Sequence, residues 1–220
     1  MFLNHYNEVF FDYASLGMNA IQINDNSVEP SKVVCIGRNY VDHIKELNNA
    51  MPDQPVIFVK PNSAISDHII FDDVDEIHYE GEISFVIKDK QISAVGFGLD
   101  MTKRDVQSTL KSKGLPWERA KAFDGSAVFS EFKTFDGNVD DLSLELMIND
   151  QLIQQGGCSL MLYKPKDILQ EVDSFMTLED GDVIMTGTPA GVGKVKLGDQ
   201  FVGKILEKGK VIVEQTWLVG

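Results

Sequence analysis

The chain is organised around residues 77–104, which read IHYEGEISFVIKDKQISAVGFGLDMTKR. Because side chains alternate between the two faces of a β-strand, Glu80 and Glu82 are predicted to project from one face with their carboxylates close together. Adjacent negative charges repel, so we expect a cation between them, and Mg²⁺ or Mn²⁺ with Asp100 as a third oxygen ligand fits this pattern. The alternative is a strand whose solvent-facing side happens to be acidic, in a chain with 34 acidic residues among 220.

Length and composition are those of an ordinary globular protein, and they exclude several classes. A chain of 220 residues fits one large domain. The net charge of −14 argues against a nucleic-acid partner, because such partners require Lys and Arg to neutralise phosphates. Cys35 and Cys158 are too few for a disulfide framework and are interpreted as buried thiols. Residues 1–17 have neither a basic start nor a long apolar stretch, so we expect no signal peptide, no membrane contact and a cytoplasmic location.

Hydrophobic patterning outside the acidic stretch predicts more strands than helices. Short β-branched or alternating runs predict strands at residues 32–36, 56–60, 92–99, 142–148 and 182–185. Hairpins are predicted around Asn149-Asp150 and within residues 200–217. Helices are predicted at residues 41–47, 103–113 and 165–175, the second with a capping box formed by Thr102 and Asp105. The pattern indicates a mainly β, α+β domain at residues 31–220, preceded by an irregular lead-in at residues 1–30 that packs on it.

Three side chains outside the acidic stretch are candidates for chemistry. His43 and Glu46 share one helix face, so the carboxylate could orient the imidazole as a base, although such pairs are also common surface decoration. Lys121 is a cation among apolar neighbours that either extends to water or stabilises an oxyanion. The glycine-rich residues 187–193 do not match a phosphate-binding loop, because Gly193-Lys194 is followed by Val195, but a turn that places backbone amides near a ligand is compatible with them.

Five motifs, in order, resemble the fumarylacetoacetate hydrolase family, and most closely its single-domain acylpyruvate hydrolase and oxaloacetate decarboxylase branch. They are CIGRNYVDHIKEL (35–47), HYEGEISFVI (78–87), GLDMTKRDVQ (98–107), GLPWERAKAFDGS (114–126) and MTGTPAGVG (185–193). The resemblance implies a mixed β-sandwich roll of the fumarylacetoacetase C-terminal domain type with a short lid helix, and a homodimer. It also implies an Mg²⁺ or Mn²⁺ site, with Ca²⁺ as a substitute, on Glu80, Glu82 and Asp100.

The resemblance further assigns roles to individual residues. The catalytic positions that it implies are His43, Glu46 and Lys121. The substrate-binding positions that it implies are Arg38, Tyr40, Arg104, Gln107, Gly187 and Thr188. Tyr79 and Gly81 differ from the residues usual in the family, and the connection from Glu82 to Asp100 is shorter than usual, which leaves substrate choice open.

The function expected from the resemblance is metal-dependent hydrolysis of a carbon–carbon bond in 2,4-dioxo acids, acylpyruvates of aromatic catabolism such as fumarylpyruvate or acetylpyruvate, through a metal-stabilised enolate. Oxaloacetate decarboxylation is a further expected activity. The alternative is an isomerase or tautomerase of 2-hydroxymuconate-type or oxaloacetate substrates at the same site. A non-catalytic, metal-stabilised binding protein is a third interpretation, which the presence of His43, Glu46 and Lys121 disfavours.

Overall fold

The computed structural model describes residues 17–47, 50–72 and 74–220, in which strands predominate over helices. The strands are β1 (Ile21–Ile23), β2 (Asn26–Val28), β3 (Lys32–Gly37), β4 (Val56–Pro61), β5 (Ile65–Ser66), β6 (Ile77–Tyr79), β7 (Gly81–Lys88), β8 (Gln91–Asp100), β9 (Thr102–Lys103), β10 (Ala127–Phe129), β11 (Lys133–Thr134), β12 (Leu142–Ile148), β13 (Gln151–Gly157), β14 (Val183–Met185), β15 (Gly193–Lys194), β16 (Gln200–Glu207) and β17 (Lys210–Leu218). The helices are α1 (Val41–Glu46), α2 (Arg104–Ser112), α3 (Glu118–Lys121) and α4 (Pro165–Asp173), and short 3-10 turns occur at Asn62–Ala64, Val139–Asp141 and Cys158–Leu160.

The largest sheet has the strand order β4-β3-β14-β7-β8-β10-β5, and β11 also pairs with β8. It is mixed, because β14 runs parallel to β3 and β10 runs parallel to β5, whereas the other neighbours are antiparallel. Strands β7 and β8 are nearly continuous apolar runs with few exposed positions, as expected for strands covered on both faces. This central pair carries the acidic residues of the site.

A second, antiparallel sheet with the order β13-β12-β16-β17 packs on one face of the large sheet. The main core lies between them, where Ile83 and Phe97 from the large sheet meet Leu144 and Ile205 from the second. Helix α4 covers another part of the large sheet through Ile168, in a cluster with residues of β3, β7 and β14. The resulting α+β, mainly β sandwich agrees with the fold class predicted from the sequence.

The opposite face of the large sheet is lined by a smaller apolar cluster that includes Cys35, Val86, Phe132 and Met185. Alternation along β7 places Glu82 on this face together with Val86. The site therefore lies at one end of this face, away from the main core. Hairpin β1–β2 also packs here, since Ile21 belongs to the same cluster.

Several local predictions differ from the structure. Instead of an irregular segment, residues 21–28 form the hairpin β1–β2, while residues 1–16 of the predicted lead-in lie outside the described residues. The predicted capping box is wrong: helix α2 has Lys103 at its N-cap without a side-chain cap, because Thr102 Oγ1 donates to the Asp100 carbonyl and accepts from the Lys121 amine. Helix α3 was not predicted. Within the described part of the chain, the helices are too short and too polar to cross a membrane.

Candidate active site

Three buried carboxylates meet beside the break between β6 and β7. Glu82 pairs with Gly98 in the β7–β8 ladder, so Asp100, two residues further along β8, lies on the same sheet face. The Asp100 amide donates to the Glu80 carbonyl at 2.9 Å and thereby fixes Glu80 beside the end of β8. One oxygen from each of the three carboxylates lies within 4.8 Å of the others, and Glu80, Glu82 and Asp100 are only 6%, 2% and 1% exposed. The carboxylates thus converge as predicted, and the interpretation as a solvent-facing acidic strand does not apply.

Lys121, at the end of α3, is the buried cation that joins two of these carboxylates. Its amine lies 3.0 Å from Glu80 Oε2, 2.7 Å from Asp100 Oδ2 and 2.6 Å from Thr102 Oγ1. Burial by itself disfavours the charged amine, but Asp100 and Glu80 outweigh it and raise the pKa of Lys121 above its usual value. Lys121 is therefore a cation at neutral pH, which suits the stabilisation of negative charge and not proton abstraction.

Arg104, at the start of α2, is the second cation at Glu80. Its Nη2 lies 2.5 Å from Glu80 Oε1, and its Nη1 donates to Gln107 Oε1 at 2.9 Å. Burial opposes ionisation of Glu80, but Lys121 and Arg104 outweigh it and hold the pKa of this carboxyl well below its usual value. The buried Nε of Arg104 has no hydrogen-bond partner among the described residues, so one donor remains for a ligand.

Lys60 is a site residue that the sequence analysis missed. It is fully buried at the end of β4, and its amine lies 2.9 Å from Asp100 Oδ1. The same amine donates to the carbonyls of Ser126, at 2.9 Å, and Lys121. Lys60 therefore ties Asp100 to the loop that follows α3. Its position just before Pro61 in an apolar strand indicates only a strand end, so the sequence offered no signal for this role.

Glu82 differs from the other two carboxylates because it lacks a close cation. The Gly187 amide donates to its Oε2 at 2.8 Å, and no described Lys, Arg or His lies within ion-pair distance of it. Burial, followed by the charges of Asp100 and Glu80, raises the pKa of Glu82 well above its usual value. A divalent cation bound by all three carboxylates would supply the missing positive charge, and an all-oxygen donor set suits Mg²⁺, Mn²⁺ or Ca²⁺. The residues therefore fit a divalent metal.

The turn after β14 supplies backbone amides to both ends of the site. Gly187 has φ of +95°, and a Cβ there would lie 2.9 Å from the Ile36 carbonyl oxygen, so the turn requires glycine. Further along the turn, the Gly191 amide donates to Glu46 Oε1 at 2.9 Å. The glycine-rich segment thus orients two glutamates, which agrees with a turn that presents amides and not with a phosphate loop.

The short helix α1 places His43 over the carboxylates. His43 is buried, and its Nδ1 lies 3.3 Å from Glu46 Oε2, with Glu46 itself held by the Gly191 amide. The predicted pair is therefore present as a hydrogen-bonded dyad anchored to the turn after β14. The imidazole faces the same cavity as Glu80 and Glu82.

The cavity beside the carboxylates is small, about 40 Å³. The predicted site residues that line it are Arg38, His43, Glu80, Glu82, Arg104, Gln107, Lys121 and Thr188. Tyr40 lies in the main core instead, with its hydroxyl buried and without a described partner, so its role as a substrate contact stays a prediction. Phe58, Lys111 and Trp117 line the cavity without having been predicted. A string such as GLPWERAK gives no indication, without the fold, of which side chains face a cavity.

The departures at Tyr79 and Gly81 are accommodated by packing next to the site. A Cβ on Gly81 would lie 2.9 Å from Gln154 Oε1, which accepts a hydrogen bond from the Gly81 amide. Thr188 Oγ1 donates to the Gly81 carbonyl and accepts from Gln154 Nε2, each at 2.9 Å. Tyr79 packs edge-on against Phe201. The buried Gln154, also missed from the sequence, thus fixes the strand segment between Glu80 and Glu82.

The family model described as fumarylacetoacetate (FAA) hydrolase C-terminal matches residues 32–216, which span all of these site residues. The chain belongs to the fumarylacetoacetate hydrolase family. Among curated proteins, the oxaloacetate tautomerase YcgM of Escherichia coli is 40% identical over 189 residues, covering 78% of this chain and 86% of that protein. The mitochondrial oxaloacetate tautomerase FMP41 of Saccharomyces cerevisiae is 35% identical, covering 84% of this chain and 91% of that protein.

The solved structures give the same fold. The fumarylpyruvate hydrolase of Pseudomonas aeruginosa, in complex with Mn²⁺ and pyruvate, superposes with a TM-score of 0.84 at 25% identity, covering 96% of this chain and all of that one. The acidic triad of this chain and the Mn²⁺ of that relative indicate a divalent metal site, without specifying the ion. The comparisons support the enzyme family expected from the sequence. They favour the tautomerase alternative over hydrolysis, because the curated relatives at 40% and 35% identity are named tautomerases, whereas the fumarylpyruvate hydrolase is 25% identical.

Proposed function

We propose that this chain is a divalent-metal-dependent oxaloacetate tautomerase. The observation that carries the proposal is that two carboxylates of the buried triad, the Lys121 and Arg104 cations and the imidazole-bearing residue of the His43–Glu46 dyad line one small cavity. A keto–enol interconversion needs only a proton carrier at carbon and stabilisation of charge on oxygen, and this site offers both. The names of the similar tautomerases favour this reaction over hydrolysis.

Glu80, Glu82 and Asp100 are the residues that would hold the metal. When bound, a Mg²⁺ or Mn²⁺ ion supplies a Lewis acid that polarises the oxygens of a 2-oxo acid. Lys60 and Lys121 hold the Asp100 carboxylate from both of its oxygens, and the Gly187 amide holds Glu82. These contacts keep the ligand atoms in place before a metal arrives.

His43 is the proton carrier in this proposal. With Glu46 as hydrogen-bond acceptor at 3.3 Å, Nδ1 carries a proton and Nε2 is left to accept one from C3 of oxaloacetate. Returning that proton to the enol oxygen or to C3 completes the interconversion in either direction. Lys121 and the Nε of Arg104, which has no acceptor among the residues that the structure describes, donate to substrate oxygens on which negative charge develops.

Hydrolysis of an acylpyruvate is the second candidate, and one observation favours it. A groove of about 490 Å³ adjoins the cavity, shares Phe58, Trp117 and Lys121 with it, and is lined further along by Val56 and Leu115. An apolar acyl group would fit there. In that reaction the His43–Glu46 dyad would activate a water molecule for attack on the distal carbonyl.

The test measures ketonisation of enol-oxaloacetate and pyruvate release from acetylpyruvate side by side, with Mn²⁺-loaded protein. We expect ketonisation well above the buffer rate and proportional to protein concentration, with His43→Gln lowering it roughly 10²-fold or more, the usual scale for acid–base catalysis. The exposed His68→Gln is the matched control and should retain the wild-type rate.

Ketonisation at the buffer rate would refute the tautomerase proposal. Fast cleavage of acetylpyruvate in the same experiment would establish the hydrolase. A protein that binds Mn²⁺ but turns over neither substrate would be the non-catalytic binding protein.

Several expectations from the sequence remain proposals. These are a homodimer, the absence of nucleic-acid and membrane partners, and a cytoplasmic location. The yeast relative is mitochondrial by name, so family membership alone does not determine the compartment.

A further inference from the structure

Two further cations, Arg38 and Lys111, lie at the rim of the cavity. Arg38 and Lys111 line the cavity together with Arg104, in a chain whose net charge is −14. Burial and then the nearby Arg38 and Arg104 charges lower the pKa of Lys111. Cationic side chains that line a cavity beside a 2-oxo acid site are suited to contact a further anionic group of the ligand.

The backbone positions Arg38 at this rim. Arg38 has φ of +57°, the left-handed region that is unfavourable for residues other than glycine. The buried Asn39 maintains this conformation, since its Nδ2 donates to the carbonyls of Tyr163 and Thr186 at 3.0 and 2.8 Å, and its Oδ1 accepts from the Tyr163 amide at 2.7 Å. The fold thus holds an arginine at a cavity rim at an energetic cost.

Helix α2 positions Lys111. Arg104, Gln107 and Lys111 are spaced by three and four residues, so they share one helix face, and all three line the cavity. The Lys111 amine lies 5.8 Å from the centre of the ring of Trp117, which also lines the cavity. Arg38 and Lys111 therefore approach the cavity from two different elements.

We propose that Arg38 and Lys111 bind the second carboxylate of a short dicarboxylic 2-oxo acid, the substrate class to which oxaloacetate belongs. This inference rests on the proposed function and deepens it. The 2-oxo acid end of the substrate is directed to the carboxylate triad, Arg104 and Lys121. A four-carbon dicarboxylate bound in this way places its other carboxylate toward Arg38 and Lys111, which line the same cavity.

The test compares two ligands that differ in the second carboxylate, pyruvate and the non-enolisable 3,3-difluorooxaloacetate. Their dissociation constants are measured by calorimetry with Mn²⁺-loaded protein. We expect Lys111→Met to reduce the preference for difluorooxaloacetate over pyruvate about tenfold or more, the scale of a charge-assisted hydrogen bond, and Lys111→Arg to restore most of it. Lys113→Met removes the same charge from an exposed position at the same end of α2 and should keep the wild-type preference.

A second variant on a separate element, Arg38→Gln, tests the inference independently of the α2 helix and should reduce the preference similarly. An unchanged preference in either Arg38→Gln or Lys111→Met would overturn the proposal, as would an equal loss in Lys113→Met. The outcomes also separate the two levels of the argument. If the wild type catalyses ketonisation but Lys111→Met keeps the preference for difluorooxaloacetate over pyruvate, the rim site is refuted and the tautomerase proposal stands. A Lys111-dependent preference without ketonisation supports the rim site and refutes the tautomerase.

Discussion

Glu80→Gln and Glu82→Gln are the same isosteric substitution two residues apart, yet we expect opposite effects on the stability of the metal-free protein. Glu80 accepts from the buried Lys121 and the partly buried Arg104, so the amide removes the negative charge that both cations share and keeps only one acceptor oxygen. Breaking a buried ion pair is destabilising by about 3–5 kcal/mol. Lys121 keeps its ion pair with Asp100 in this variant. We therefore expect Glu80→Gln to lower the free energy of unfolding by an amount at the lower end of this range, about 3 kcal/mol.

Among the described residues, Glu82 accepts only from the Gly187 amide, and a glutamine oxygen can accept the same hydrogen bond. The substitution removes a buried carboxylate that no cation neutralises, so we expect a gain in unfolding free energy of about 1–2 kcal/mol at neutral pH. The raised pKa of Glu82 determines the direction in which the stability of the wild type changes with pH. A raised carboxyl pKa means that the folded protein binds more protons than the unfolded chain above about pH 4.3, so the penalty in the wild type grows as the pH rises from there.

The assay is urea unfolding of both variants and the wild type in EDTA, repeated with excess Mn²⁺. Mn²⁺ should stabilise the wild type by about 2.7 kcal/mol at one hundred times its dissociation constant, and neither variant to that extent. The reasoning would be refuted if Glu82→Gln destabilised the metal-free protein as much as Glu80→Gln, or if Glu82→Gln bound Mn²⁺ like the wild type.

Three further substitutions test other parts of the site and the fold. Lys121→Met should lower kcat for ketonisation roughly 10²-fold by removing an oxyanion donor; an unchanged kcat would reduce Lys121 to a structural cation. Gly187→Ala, at φ of +95°, should lower unfolding free energy by about 1–3 kcal/mol in thermal or urea unfolding, and an unaltered midpoint would contradict the steric argument. Asp182→Asn should lower the free energy of unfolding by about 3 kcal/mol, because this buried carboxylate accepts five hydrogen bonds. The exposed Asp173→Asn control should lower it by under about 0.5 kcal/mol, and equal losses in the two variants would refute this role of Asp182.

Strands with a strong β-branched or alternating pattern were predictable from the sequence, whereas strands too short to show such a pattern were not. Residues 142–148 alternate in the sequence, and β12 has the same bounds because its two faces differ in burial. The hairpin at residues 21–28 was missed although Asn24, with φ of +49°, occupies the kind of turn that asparagine favours. Its strands are only three residues long, too short to show a period.

The proximity of Glu80 and Glu82 was predictable because alternation and charge repulsion act locally, over residues 80–82. The continuous strand assumed for it was not correct, since Glu80 interrupts the ladder between β6 and β7. Lys60 and Gln154 could not have been predicted, because their partners lie far away in the chain. A buried polar side chain is recognised only once the fold shows what it contacts.

The measurement that tests the central claim most directly is a titration of metal-free protein with Mn²⁺, following bound Mn²⁺ and the rate of enol-oxaloacetate ketonisation in the same samples. We predict that the rate rises in proportion to occupancy of one site per chain, and that Glu82→Gln abolishes both together. Ketonisation that is already maximal in the metal-free protein, or that stays at the buffer rate when the site is full, would contradict a metal-dependent tautomerase.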